Sequence, residues 1–163
     1  MAEDTFKRID KYTKEGRYLE AAELLENYLK VNSGTAALYS RLGNLYVSSG
    51  FKPDAIKSHE KAVELAPDDP EVWHLYGISL FFFRELDRSV NALEKAYSLN
   101  PLNAELIKNL AVGYFYQRRF EEALTYLRLA DSRGYKIDDD TMREFESYYF
   151  DNEIPSHKST KSK

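Results

Sequence analysis

The feature that most constrains this chain is a recurring step of 34 residues. Tyr12, Tyr46, Leu80 and Tyr114 stand at that spacing, and so do Ala21, Ala55, Ser89 and Ala123. Ala62, Ala96 and Ala130 keep it, as do the pairs Gly43 with Gly77 and Pro67 with Pro101. When residues of several chemical classes share one period, the chain is a series of copies of one supersecondary unit. A unit this short cannot bury its apolar face alone, so the copies must stack on one another. The period sets four frames: residues 2–35, 36–69, 70–103 and 104–137.

Each frame reads as two helices joined by a short turn. In the second, Tyr39, Leu42, Gly43 and Tyr46 mark the first helix and Gly50 marks the turn. Pro53 opens the second helix, where its missing N–H costs nothing. Ala55, His59 and Ala62 carry that helix, and Pro67 stops it. Small residues at Gly43 and Ala55 let the two helices approach closely. Tyr39 and Tyr46 fill the space above and below that contact, and Ala62 leaves room for the next unit. Beyond the fourth frame, residues 138–150 predict one more helix. Asp138, Asp139 and Asp140 precede it, Thr141 and Glu144 have capping-box spacing, and Met142, Phe145 and Tyr149 share one face. Such a helix would cap the last repeat. Residues 151–163, with His157, Lys158, Lys161 and Lys163, read as a flexible basic tail.

The pattern resembles the tetratricopeptide-repeat family. Its spaced Trp-Leu-Gly-Tyr, then Ala, aromatic, Ala and Pro, is met by Tyr39, Leu42, Gly43, Tyr46, Ala55, His59, Ala62 and Pro67. The third frame offers Trp73, Tyr76, Gly77, Leu80, Ser89, Leu93, Ala96 and Pro101. The fourth offers Ile107, Leu110, Ala111, Tyr114, Ala123, Leu127 and Ala130, with Tyr135 in place of the proline, and the first is the most degenerate. The fold this implies is all-α: a right-handed α-solenoid of four helix pairs plus a C-terminal capping helix.

Several kinds of chemistry are absent. With 23 basic against 27 acidic residues the net charge is −4, which does not favour nucleic acid. There is no cysteine, so disulfides, zinc thiolates and thiol catalysis are excluded. The longest apolar stretch, Leu80 to Phe83, is too short to cross a membrane. The acidic start, Met1-Ala2-Glu3-Asp4, does not resemble a secretory signal, so a cytoplasmic location is expected. His59, His74 and His157 form no metal-spaced pair, and the acidic triplet lacks the glycine and distal glutamate of a calcium loop. We therefore expect no enzyme, no cofactor, no metal and no small-molecule substrate.

The resemblance also implies where a partner would lie. In the family, the first helix of each repeat lines a concave surface through the second, fifth, sixth, ninth, twelfth and thirteenth places of the frame. The first two frames put mainly polar residues there: Glu3, Phe6, Lys7, Asp10, Thr13 and Lys14, then Ala37, Ser40, Arg41, Asn44, Val47 and Ser48. The later frames put Glu71, His74, Leu75, Ile78, Phe81 and Phe82, then Glu105, Lys108, Asn109, Val112, Phe115 and Tyr116. The expected site is thus an apolar surface of frames three and four, with Arg41, Asn44, Lys108 and Asn109 supplying hydrogen bonds. The same large residues would also serve to pack across the inside of the superhelix. The functional expectation is a protein-interaction module that takes a protein or peptide segment. Alternatives are a small chaperone or assembly factor of the secretion-chaperone type, and a structural homo-oligomer.

Overall fold

The computed structural model describes residues 2–152, and among them are nine α-helices and no strand. The first helices of the frames are α1 (Ala2–Lys14), α3 (Ala36–Ser48), α5 (Pro70–Phe82) and α7 (Ala104–Tyr116). The second helices are α2 (Tyr18–Val31), α4 (Lys52–Leu65), α6 (Leu86–Leu99) and α8 (Phe120–Ser132), and α9 (Asp139–Asn152) follows. Both series start at a constant step of 34 residues, so the period of the sequence is carried into the backbone. The architecture is an all-α solenoid. The chain divides into two compact units, one ending at Asn100 and one beginning at Pro101.

Helix ends follow local chemistry. Thr35 accepts a hydrogen bond from the Leu38 N–H, Asp69 from Glu71 and Asn103 from Leu106, which satisfies amides that a helix start leaves open. First helices stop in a repeated motif. The N–H of Arg17, Phe51, Glu85 and Arg119 returns to the carbonyl of Tyr12, Tyr46, Leu80 and Tyr114 at 2.8–3.0 Å. That closure needs a left-handed residue just before it. Gly16 and Gly50 take φ of 73° and 78°, whereas the same register in the later repeats holds Arg84 at 63° and Arg118 at 64°.

In the first unit, α3 packs on α4 and α5 on α6, and the pairs stack through α2 on α3 and through α4 and α3 on α5. Ile9, Leu25, Leu42, Leu45 and Tyr46 form its core, with Phe83 packed at the edge. The close approach of α3 and α4 is real: a Cβ on Gly43 would lie 2.5 Å from the His59 ring. His59 is fully buried, and its Nε2 lies 2.8 Å from the Ser79 hydroxyl on α5. Ser79 donates its own proton to the Leu75 carbonyl at 2.9 Å, so the histidine Nε2–H donates to the Ser79 oxygen. Burial pushes the His59 pKa down to about 4.

In the second unit, α8 packs on both α7 and α9. Phe115, Phe120, Phe145 and Tyr148 make an aromatic cluster that ties the end of α7 to α9. The cap of α9 differs from the capping-box reading. Asp138 is the capping residue: its carboxylate accepts from both the Thr141 N–H and the Thr141 hydroxyl at 2.8 Å. That hydrogen bonding holds the Asp138 carboxyl below its usual range. The helix also takes in Asp151 and Asn152, beyond the 138–150 span expected from the sequence. The remaining tail, with His157, Lys158, Lys161 and Lys163, lies outside the described residues. Among the described residues no helix is long and apolar enough to cross a membrane.

Candidate partner-binding surface

The contact register meets very different surroundings along the chain. On the first unit, Arg41 is bound to Asp10 across α1 and α3, so its guanidinium is already engaged. Asn44 is exposed. On α5, His74 is only 4% exposed, which withdraws it from a partner; its ring lies 3.8 Å from the Glu71 carboxylate. Leu75 and Phe81 are half-buried. Ile78 and Phe82 are exposed, at 39% and 59%.

The three consecutive phenylalanines therefore divide by helical angle. Phe83 turns toward the core of its unit, Phe81 is half covered, and Phe82 stands outward with its ring edge-on to Phe83 at 5.1 Å. A helix turns about 100° per residue, so three neighbours cannot share one buried face.

On α7, Tyr116 is 48% exposed, while Phe115 and Val112 are half-buried. Phe115 is covered from within its own unit by Phe145 and Tyr148 of α9. Asn109 is half-buried, and the Lys108 ammonium lies 5.3 Å over the Tyr135 ring. What is left to a partner is Ile78 and Phe82 on α5 of the first unit and, taken by itself, Tyr116 on α7 of the second, fewer residues than the register implies. The register also misses Tyr148 and Phe150, exposed on α9 at 44% and 54%. The run Tyr148-Tyr149-Phe150 was their only sequence signal, since three adjacent aromatics on a short helix cannot all be covered.

Among the described residues no group of three or more histidines or carboxylates is placed to hold a metal ion.

Comparison with known proteins gives one family. Two models of the tetratricopeptide repeat match, over residues 12–78 and 77–136. The chain is 26% identical over 107 residues to Hsp70-Hsp90 organizing protein 3 of Arabidopsis thaliana, covering 66% of this chain and 19% of that protein. It is 24% identical over 110 residues to the Hsp70-Hsp90 organizing protein of Triticum aestivum, covering 68% and 19%. It thus spans less than a fifth of the length of these relatives. Among solved structures, YrrB, described as a repeat protein with an unusual peptide-binding site, superposes with a TM-score of 0.73 at 23% identity over 88% of this chain and 73% of its own. MamA of Desulfovibrio magneticus RS-1 does so with a TM-score of 0.74 at 18% identity over 82% and 75%. At those identities the likeness is one of fold. Since the repeat models run from residue 12 to residue 136 and the helices keep their register throughout, the chain belongs to the tetratricopeptide-repeat family.

Proposed function

We propose that this chain is a non-catalytic protein-interaction module that holds a segment of a partner protein through Ile78 and Phe82 of α5, with Tyr116 of α7 a separate contact on the second unit. The observation that carries this reading is the outward phenyl ring of Phe82, 59% exposed and one turn from Ile78, the other exposed large apolar residue of α5. Burial of that ring in the chain's own packing would have removed the motive. Core-facing places such as Tyr46, Leu80 and Tyr114 are already filled, so stability gives no reason for the ring. Aromatic anchors carry a large share of binding energy in such sites, with losses of about 2 kcal/mol or more on truncation. As part of this reading the partner is met in the cytoplasm. The test is capture of partners from native lysate, followed by affinity measurement with the captured protein. Ile78→Ala combined with Phe82→Ala should weaken binding at least about tenfold at unchanged helical content, while Lys14→Ala should do much less. An unchanged affinity in the double variant refutes the assignment.

One observation favours a second reading, an assembly factor acting on chaperones: both curated relatives are named as Hsp70-Hsp90 organizing proteins. A self-associating form is separated from both by light scattering coupled to size-exclusion chromatography.

A further inference from the structure

The first unit carries a cavity that the contact register does not use. It has a volume of about 400 Å³ and is bounded by α2, α3 and α4. Leu29, Tyr39 and Leu42 give it apolar walls, and Glu26, Tyr46 and Asp54 line it with polar groups. Tyr46 is 7% exposed as a residue; its hydroxyl is not among the atoms sealed from solvent, and it makes no hydrogen bond among the described residues. The Asp54 carboxylate makes no ion pair among them either. Two rim lysines are already paired, Lys30 with Glu26 at 3.7 Å and Lys61 with Glu64 at 2.8 Å. Lys57 also lines the rim and reaches no carboxylate among the described residues. Burial first, and then the negative charges of Glu26, Asp54 and Glu23, hold the Tyr46 phenol above its ordinary pKa.

Two other repeats show what a tyrosine and a carboxylate at these registers accept. In repeat one, the Arg17 guanidinium lies 4.0 Å over the Tyr12 ring and donates to Glu20 at 3.0 Å. In repeat four, Arg119 lies 4.3 Å over Tyr114 and donates to Glu122 at 2.9 Å. Tyr12, Tyr46 and Tyr114 share one register, and Glu20, Asp54 and Glu122 share another. The arginine register of repeat two holds Phe51 instead, whose ring lies 6.4 Å from that of Tyr46. Repeat two keeps the ring and the carboxylate but does not supply the guanidinium.

We propose that this cavity receives an arginine side chain of a partner protein, its aliphatic stem along Leu29 and Leu42 and its guanidinium on Asp54 and the Tyr46 hydroxyl. A guanidinium suits the place because it donates to a carboxylate and lies against an aromatic ring at once.

The proposal is tested by titrating the isotope-labelled full chain with N-acetylarginine methylamide and following backbone amide shifts. The control is the citrulline analogue, which has nearly the same shape and no charge. Saturable shifts are expected at Leu29, Leu42 and Asp54, with the citrulline compound at least about fivefold weaker. Asp54→Asn should weaken arginine binding about fivefold, and Tyr46→Phe should weaken it at unchanged melting temperature. Equal response to the two compounds, no saturable shift at those amides, or an unchanged affinity in Asp54→Asn overturns the proposal. Ile78→Ala with Phe82→Ala should leave this titration unaltered, so this site and the surface on α5 stand or fall separately.

Discussion

Phe115 stacks on Phe145 with ring centroids 4.4 Å apart and planes inclined by 27°. This contact fastens the last helix to the end of α7, and Phe145 is 8% exposed within it. Replacing Phe145 by alanine should cost about 2–4 kcal/mol in urea unfolding, since the ring leaves a cavity among three other aromatics. A chain ending at Lys136 would expose Phe115 and Phe120 and should lose solubility. Unchanged melting of that shortened chain, with monomeric behaviour, would contradict the role given to α9.

His59 links stability to pH. It titrates near 6.5 when unfolded and near 4 when folded, because burial disfavours the charged ring. As pH falls, the unfolded chain takes up the proton first. The contribution is therefore complete above about pH 6.5 and is lost progressively toward pH 4, by about 3 kcal/mol. His59→Leu copies the residue that Leu93 and Leu127 place at this register, and it should flatten that part of the profile. Denaturant unfolding of both proteins between pH 7 and pH 4.5 measures the difference; parallel profiles would show that the histidine is not the source.

Arg84 and Arg118 occupy a backbone region that a Cβ makes costly. Arg84→Gly and Arg118→Gly should each raise stability, by about 0.5–1 kcal/mol. The reverse change is available at Gly50, where a Cβ would meet no atom within 4 Å, so Gly50→Ala isolates the conformational cost. It should lower stability by about 1 kcal/mol. Thermal unfolding of the three variants decides this.

Some tetratricopeptide domains grip the C-terminal carboxylate of heat-shock chaperones with a lysine-asparagine-asparagine-lysine-arginine clamp. Begun in the first frame, that register holds Phe6, Asp10, Arg41, Glu71 and Leu75; begun in the second, Ser40, Asn44, Leu75, Glu105 and Asn109. Only Asn44 matches, and the one cation, Arg41, is bound to Asp10. A glutamate facing a carboxylate is repulsive. A fluorescent peptide ending in Glu-Glu-Val-Asp should therefore show no saturable binding at micromolar concentrations. Saturable binding that disappears when the terminal carboxylate is amidated would show the clamp to be present.

The fold was legible because stacking repeats the same steric demand every 34 residues, and small residues such as Gly43 and Ala62 mark where backbones meet. The site was less so. A register tells which helical face a residue occupies, but not what comes to cover it. Phe115 and Tyr116 are neighbours on α7, and only the packing of α9 decides that the first is half-buried and the second exposed. His74 was drawn inside for the same kind of reason. The left-handed arginines gave no signal, because arginine at a glycine register reads as an ordinary polar turn. Asp138 was passed over as a cap because Thr141 and Glu144 satisfied a motif that three adjacent aspartates also allowed.

The hydrogen bond from His59 to Ser79 joins a second helix to the first helix of the next repeat. A tandem copy of repeat two would set Leu45 where Ser79 now stands. The imidazole N–H would then be enclosed with nothing to receive it, at a cost of about 1–3 kcal/mol. Repeats that look interchangeable by period are thus ordered by a single polar contact. The array can be read in one sequence of units, and shuffling, duplication or deletion at this junction would be selected against by the chain's own interior.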